Sequence, residues 1–538
     1  MNINNLPMGS TSFEKIRNSN LIYVDKTEFL YNLLQNNSPY FLSRPAGFGK
    51  TLMIDTLECI LRGQRELFKG LWIDSSDYNW KPHPVIRLNM ENHTIIKKIS
   101  EVNERICNHL RHAAYHNEGF ILDGSYPATV FASYIKNLGE KYQRRVAVLI
   151  DNYEDMLIGR FKELGFVYKL GNCLMKFYQA LKDTDKNRGF TLIAGISKLR
   201  YLPLFSQKNN FVDLNLKKEY ASLCGFTLEE LDTFFPEHMK RFLWKLQHKE
   251  FISKEDTMAK LKQLLVEMYG GYSWDGQTMV LNPWSTLHAL NKRKLSVYFN
   301  NRKPIPCFVK EQIQTGMSII NSPNGEASLK VGSRQIELGN LTEPIPLMFQ
   351  YGFLTVNRVK ESKNGAIYHL KIPNLEVKAG ATNFSPYHLI ITNPLVAREN
   401  VISMLNSLNS LKTLDFEKSL SSLLDDACYW EHDKTREEFY LSYLHSAMFF
   451  ADAKISKLEC ATDLRYVFNY ISTEGKLFII KLRSCNASPN LVDPGQCYAY
   501  AVSDLINVHE VYKVDLRECF VERKKVFRVH LKKLNVFI

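Results

Sequence analysis

Phe41-Leu-Ser-Arg-Pro-Ala-Gly-Phe-Gly-Lys-Thr51 joins an apolar run to a loop with two glycines and then to Gly49-Lys50-Thr51. The run over 40–42 reads as a short buried strand, and 52–61 continues as a helix with apolar residues at helical spacing. Strand, loop and helix in that order are the setting a phosphate-binding loop requires. The chemistry accounts for the residue types. Gly47 and Gly49 let backbone N–H groups turn inward around phosphate oxygens. Lys50 adds a point charge for the β- and γ-phosphates, and the Thr51 hydroxyl can hold Mg²⁺. The usual pattern has a further glycine five residues before Gly49; here that residue is Arg44. A plain glycine-rich turn ahead of a helix looks similar, so a second, distant element has to decide.

That element is Arg145-Val-Ala-Val-Leu-Ile-Asp151. Its unbroken apolar run fixes a strand in the interior of a sheet. The terminal Asp151 then emerges beside the phosphate loop, where it would hold Mg²⁺ directly or through water. Thr51 and Asp151 are therefore the expected metal residues. Many ATPases of this type carry Glu at the next position, where it polarises the attacking water. Here Asn152 follows, then Tyr153-Glu154-Asp155. Asn cannot accept a proton as a general base. Glu154 or Asp155 could stand in, and Asp151 with Glu154 make the expected catalytic pair. Phe190-Thr-Leu-Ile-Ala-Gly-Ile196 reads as a further strand. It ends at Ser197-Lys198, where a phosphate sensor would sit, so Ser197 is expected at the nucleotide. Lys198 and Arg200 are further candidate phosphate contacts, although plain surface charge explains them equally well.

Length and composition set bounds. A chain of 538 residues predicts two to four domains. No apolar run is long enough to cross a bilayer, and Met1-Asn-Ile-Asn-Asn-Leu-Pro7 lacks a basic and a hydrophobic region, so neither a membrane span nor a signal peptide is expected. The ten cysteines are scattered without a CxxC pair, which fits reduced thiols in an intracellular protein, cytoplasmic or nuclear. The net charge of +13 is unevenly placed: 396–538 holds 19 basic and 19 acidic residues, leaving 50 against 37 in the first 395. Basic clusters at Lys292-Arg-Lys294, Arg302-Lys303 and Arg523-Lys-Lys525 make nucleic acid or another polyanion a candidate partner. A solvated basic surface accounts for each cluster alone. Nothing in the residues sets an oligomeric state.

Alternating strands and helices through residue 215 predict a parallel α/β sheet. The expected order is a strand over 84–88, a helical stretch over about 97–138, and the strands at 145–151 and 190–196. Residues 1–215 thus form a P-loop core. A helical region over 216–299 could serve as a lid, with Thr227 opening a helix and turns at Tyr269-Gly-Gly-Tyr-Ser-Trp274 and Asn282-Pro-Trp-Ser285. A connecting α+β module over 300–395 holds a helix end, a glycine turn and a strand at 345–356, paired with 368–374. The last region, 396–538, reads as helices over 396–425 and 436–450, strands over 454–458, 464–470 and 477–483, a helix over 496–505 and a terminal strand region. That is the core order of a restriction-nuclease-like α/β fold.

The chain resembles the bacterial-type proteins that join an N-terminal AAA-ATPase-like domain to a C-terminal PD-(D/E)XK nuclease-like domain. The likeness covers nearly the whole length. It is carried by Tyr23-Val-Asp-Lys-Thr27, Leu42-Ser-Arg-Pro45 with Phe48-Gly-Lys-Thr51, Leu149-Ile-Asp151 with Tyr153, and Leu223-Cys-Gly-Phe226. Tyr269-Gly-Gly-Tyr272, Asn282-Pro-Trp284, Tyr351-Gly-Phe-Leu-Thr355 and Ile372-Pro-Asn374 with Glu376-Val377 complete the set. The resemblance implies ATP with Mg²⁺ as the ligand, and it implies that Arg44 is ordinary within the phosphate loop, among the nucleotide-binding residues. The departures bear on activity. Asn152 replaces the family's Glu, and Glu154 its final Asp. In the nuclease-like domain the family pattern Gly-Arg-x-Asp then Glu-x-Lys reads here Cys460-Ala-Thr-Asp463 and Lys481-Leu-Arg483. Two-carboxylate Mg²⁺ binding needs an acid where Lys481 stands, and a cation there repels the metal. Glu437, Glu438 and Gln496 resemble supporting positions without repairing this. The expected protein is an ATP binder, with slow hydrolysis or none, carrying a nuclease-like domain that has lost cleavage. An ATP-gated nuclease is the third, weaker reading.

Overall fold

The computed structural model describes residues 5–36, 38–91, 98–158, 163–199, 211–248, 253–299, 305–320, 329–332, 335–336, 343–362, 365–382, 394–425, 436–455, 459–461, 465–472, 474, 476–483, 510–521 and 524–534. The chain divides into two compact units. One comprises 1–312 with 330–374, and the other 313–329 with 375–538. The segments expected as a lid, 216–299, and much of the connecting module, 330–374, thus belong to the same unit as the P-loop core.

The first unit is built on five parallel strands: β1 (Pro39–Ser43), β2 (Val85–Asn89), β3 (Val146–Asp151), β4 (Arg188–Gly195) and β5 (Val212–Asp213), in the order β2-β3-β4-β1-β5. All six residues of β3 are buried, as its unbroken apolar run requires of a strand covered on both faces. Each fully buried Val, Leu or Ile there contributes about 1.5–3 kcal/mol of transfer free energy. Because every strand is parallel, all five end at one edge, which is where such sheets place ligands.

Eleven helices of this unit matter here: α1 (Phe13–Asn18), α2 (Thr27–Leu34), α3 (Lys50–Leu61), α4 (Ile99–Glu118), α5 (Pro127–Tyr142), α6 (Asp155–Ile158), α7 (Leu164–Asp183), α8 (Leu228–Phe234), α9 (Pro236–His248), α10 (Met258–Tyr269) and α11 (Pro283–Lys292). The stretch expected as helical over 97–138 is two helices. Gly119 closes α4 in a left-handed conformation, and Pro127 opens α5 at a position where its missing N–H costs nothing. Thr227 caps α8 through a capping box with Glu230. A three-stranded antiparallel sheet, order β6-β8-β7, joins the expected hairpin strands β7 (Thr355–Lys360) and β8 (Ile367–Lys371) to a short edge strand, β6 (Lys330–Gly332).

In the second unit the helices Pro394–Asn409, Thr413–Asp425 and Arg436–Phe450 accompany a six-stranded sheet. Its strands are β9 (Lys454–Ile455), β10 (Glu459–Ala461), β11 (Arg465–Ile471), β12 (Lys476–Arg483), β13 (Glu510–Val521) and β14 (Lys524–Leu534). β11 and β12 pair antiparallel, β12 and β13 parallel. The helix expected over 496–505, Asp463 and Gln496 lie outside the described residues, as do the side chains of Glu437, Glu438 and Lys481. No described helix is long and apolar enough to cross a membrane.

Candidate functional site

The phosphate loop starts where β1 ends. Ser43 N–H donates to Asn215 Oδ1 at 2.6 Å, and Arg44 N–H donates to Gly195 O at 3.1 Å, carrying the β1–β4 ladder one residue further. The chain then turns through Gly47 (φ 81°) and Gly49 (φ 88°), a left-handed conformation that side chains resist. Helix α3 begins at Lys50. Its ammonium is buried and donates to Arg44 O at 2.7 Å and Pro45 O at 3.0 Å, across the mouth of its own loop.

Thr51 and Asp151 meet: the hydroxyl donates to Asp151 Oδ2 at 2.7 Å. They are 100 residues apart in the chain and come together because β3 and β1 flank β4 and end at the same edge. A hydroxyl beside a buried carboxylate is a hard-oxygen donor set that suits Mg²⁺. Glycine-loop N–H groups at the start of α3, with the Lys50 ammonium, suit a polyphosphate. Lys50, Thr51, Gly47 and Gly49 line a cavity of about 470 Å³, together with Glu91 and Asn152. Its other walls combine apolar residues, Ile22, Val24, Phe226, Phe235, Trp284 and Leu287 among them, with the polar Ser10, Thr11 and Lys26. The size falls within the usual range for ligand sites, about 300–1,000 Å³.

Three expected site residues stand elsewhere. Arg44 is almost wholly buried, but its guanidinium donates to the carbonyls of Ser43 (2.9 Å), Asn215 (3.1 Å) and Tyr220 (3.3 Å) and lies 4.1 Å from the Trp274 ring centroid. Burial pushes its pKa down to about 10, so it stays charged near neutrality. It anchors the back of the loop and does not line the cavity. Ser197 is also buried. Its N–H donates to Glu154 Oε1 at 2.8 Å and its carbonyl accepts from Tyr153 Oη at 2.8 Å. Of the residues at the end of β4, it is Ile196 that faces the cavity.

Glu154 is fully buried. Its Oε1 accepts the N–H groups of Ile196 and Ser197, while Oε2 has no hydrogen-bond partner. Burial, reinforced by Asp155, pushes its pKa up to about 7. Neither Glu154 nor Asp155 lines the cavity. Lys198 donates to Asp213 Oδ2 at 2.6 Å, and Arg200 lies outside the described residues.

Several further sequence motifs gather around the loop. Asn282 caps α11 by accepting from Ser285 N–H at 3.1 Å, while its Nδ2 lies 3.4 Å from Ala46 O. Trp284 N–H donates to Gly47 O at 3.2 Å. Phe48 packs edge-on against Tyr272 and Trp274, with centroids at 4.8 and 5.3 Å. The Asn-Pro-Trp and Gly-Gly-Tyr-Ser-Trp turns are therefore fixed to the loop itself. Within Tyr23-Val-Asp-Lys-Thr27, Lys26 pairs with Glu230, and Asp25 accepts from Thr27 and from Trp72 N–H. Among the cavity-facing polar residues, Glu91, Ser10 and Thr11 were not anticipated, whereas Asn152, expected at the position of the family's Glu, does line the cavity. Asn152 takes a left-handed φ of 52° and donates from Nδ2 to Asn89 Oδ1 at 2.9 Å. For Glu91, alternation along Val85–Asn89 was the available signal, since it puts 87, 89 and 91 on one face.

An all-parallel five-stranded α/β sheet with a glycine loop, a Lys-Thr helix start and an acid at the end of β3 is consistent with a P-loop-like core. Residues 7–205 match the AAA-ATPase-like family, described as a predicted AAA-ATPase. Over 493 residues the chain is 26% identical to an uncharacterized protein in the vnfD 5′ region of Azotobacter chroococcum mcd 1, with 90% of each chain covered. No solved structure matches the chain. The N-terminal likeness points to nucleotide binding and ATPase chemistry, usually with Mg²⁺. Among the described residues, no group of three or more His, Cys, Asp or Glu side chains is placed to hold a metal.

Proposed function

We propose that the first unit binds ATP with Mg²⁺ in the cavity above the phosphate loop and hydrolyses it slowly. The observation that carries this is the Thr51–Asp151 contact at 2.7 Å, with Thr51 and Lys50 both lining the cavity. In this reading the loop N–H groups and Lys50 hold the β- and γ-phosphates. Thr51 and Asp151 hold Mg²⁺, which when bound offsets the charge gathered on those phosphates. The apolar walls, Phe226 and Trp284 among them, take the base. Lys50→Ala should abolish binding of a fluorescent ATP analogue, and Asp151→Asn should weaken it only when Mg²⁺ is present. Unchanged affinity in Lys50→Ala counts decisively against this site.

Residues 396–538 complete the proposal as a nuclease-like domain without cleavage. Support comes from the antiparallel β11–β12 pair followed by the parallel β12–β13 pair, the strand pattern expected of such a core, and from Lys481 at the position that needs an acid. The excess positive charge of the first 395 residues makes nucleic acid or another polyanion the favoured partner class. A second reading, a nucleotide-switched protein that does not hydrolyse, is favoured by one feature alone, Asn152 in place of Glu.

A further inference from the structure

We propose that Glu91 is the catalytic base of this site, supplying the carboxylate that Asn152 lacks. The inference rests on the nucleotide reading above and adds to it the side chain that receives the proton of the attacking water.

The geometry starts with β2, which runs parallel to β3 with Asn89 in register with Asp151. Met90 N–H donates to Asp151 O at 3.0 Å, so the ladder continues past the end of the strand. Side chains alternate along it, which puts Arg87, Asn89 and Glu91 on one face. Arg87 identifies that face: its guanidinium pairs with Asp55 and Glu58, both on the phosphate-loop helix α3. Glu91 therefore leaves the sheet on the side of the phosphate loop, at the edge where the strands end. It lines the same cavity as Lys50, Thr51 and Asn152.

Asn89 ties the arrangement together. Its Oδ1 accepts from Glu91 N–H at 3.1 Å and from Asn152 Nδ2 at 2.9 Å. One carboxamide thus holds the position that usually carries the acid and the position that carries it here. The acids at the neighbouring strand end, Asp151, Glu154 and Asp155, do not line the cavity. Asp151 accepts from Thr51, and Glu154 is turned onto the Ile196 and Ser197 N–H groups behind the cavity wall. In the step, the water oxygen bonds to the γ-phosphorus as the bond from that phosphorus to the β–γ bridging oxygen breaks. The water proton passes to the Glu91 carboxylate and then to solvent, and ADP and inorganic phosphate leave.

The test is Glu91→Gln in the full chain, with three readouts: affinity for a fluorescent ATP analogue with Mg²⁺, steady-state phosphate release, and the nucleotide recovered from quenched, desalted complex. The expected result is affinity within about threefold of the unmodified protein, turnover lower by about 100-fold, and ATP in place of ADP on the protein. Adding Asn152→Glu to that variant should recover at least about tenfold of the loss, because it returns a carboxylate to the neighbouring strand end. Turnover unchanged in Glu91→Gln overturns the inference and leaves the binding reading intact. Lost affinity in the variant also overturns it, in favour of a binding role. Unmodified protein that binds ATP but releases no more phosphate than Lys50→Ala overturns it in favour of the non-hydrolysing switch. Absence of binding in the unmodified protein overturns both readings.

Discussion

Glu154 is a carboxyl group whose titration the fold itself should report. Its Oε2 has no hydrogen-bond partner, and the buried Tyr351 hydroxyl, also unpartnered, and Tyr178 both feel its charge. Burial and Asp155 raise its pKa from the ordinary 4.5 to about 7. The sign follows from linkage. Below about pH 4.5 the group is protonated in both states. Between there and about pH 7 the unfolded chain gives up the proton and the folded protein keeps it, so stability falls through that window and levels off above it. Glu154→Gln keeps the acceptor for Ile196 and Ser197 and never ionises. Denaturant midpoints of the two proteins at pH 5 and pH 8 should show the variant gaining on the unmodified protein at the higher pH. Parallel pH dependence would mean that Glu154 is ionised in the folded protein. The same burial explains why Glu154, an acid close in sequence to Asp151, is a poor candidate for contact with a nucleotide.

At the scale of elements, the end of β4 is the joint between the phosphate loop and the Asp151 strand. Gly195 O accepts from Arg44 N–H, and the next two N–H groups hold Glu154. A Cβ on Gly195 would come within 2.0 Å of Glu154 Oε2. The carboxylate cannot swing clear without releasing both N–H groups. Gly195→Ala should therefore cost about 1–3 kcal/mol of stability, as overpacking does. In the double variant Gly195→Ala, Glu154→Ala the cost should be less than the sum of the two single changes, since the clash is gone. Additive losses in urea unfolding would show that the two positions do not touch. The phosphate loop has a second brace in Arg44, whose three carbonyl partners and Trp274 ring hold the loop from behind.

For the whole molecule, the first unit is discontinuous in sequence, and 330–374 is part of it. Gln350 Oε1 accepts from Lys198 N–H at 2.9 Å, Thr355 Oγ1 accepts from Ser273 N–H at 2.7 Å, and Asn374 Nδ2 donates to Gly270 O at 2.6 Å. A chain ending at residue 299 loses all three partners and leaves Ser273, which is buried, without its acceptor. It should fail to melt cooperatively and should not bind nucleotide. A chain ending at 374 should do both. Equal behaviour of the two in thermal melts and nucleotide titrations would show that 330–374 is dispensable to the unit.

The glycine loop, β1, β3, β4 and the Thr227 cap were legible in the residues because each is written in local signals: an unbroken apolar run, a glycine pair before Lys-Thr, a Thr three residues ahead of Glu. The meeting of Thr51 with Asp151 was also foreseeable, since parallel strands end at one edge. The direction of Arg44, the burial of Glu154 and Ser197, and the arrival of Glu91 at the cavity were not. Each depends on which side of a strand end a side chain leaves from and on what lies across the neighbouring strand. So this protein's amino-acid order determined where the backbone turns and which strands are interior. Only the folded sheet decided which acids face the cavity, because that is set by registers such as Asn89 beside Asp151 between strands distant in the chain.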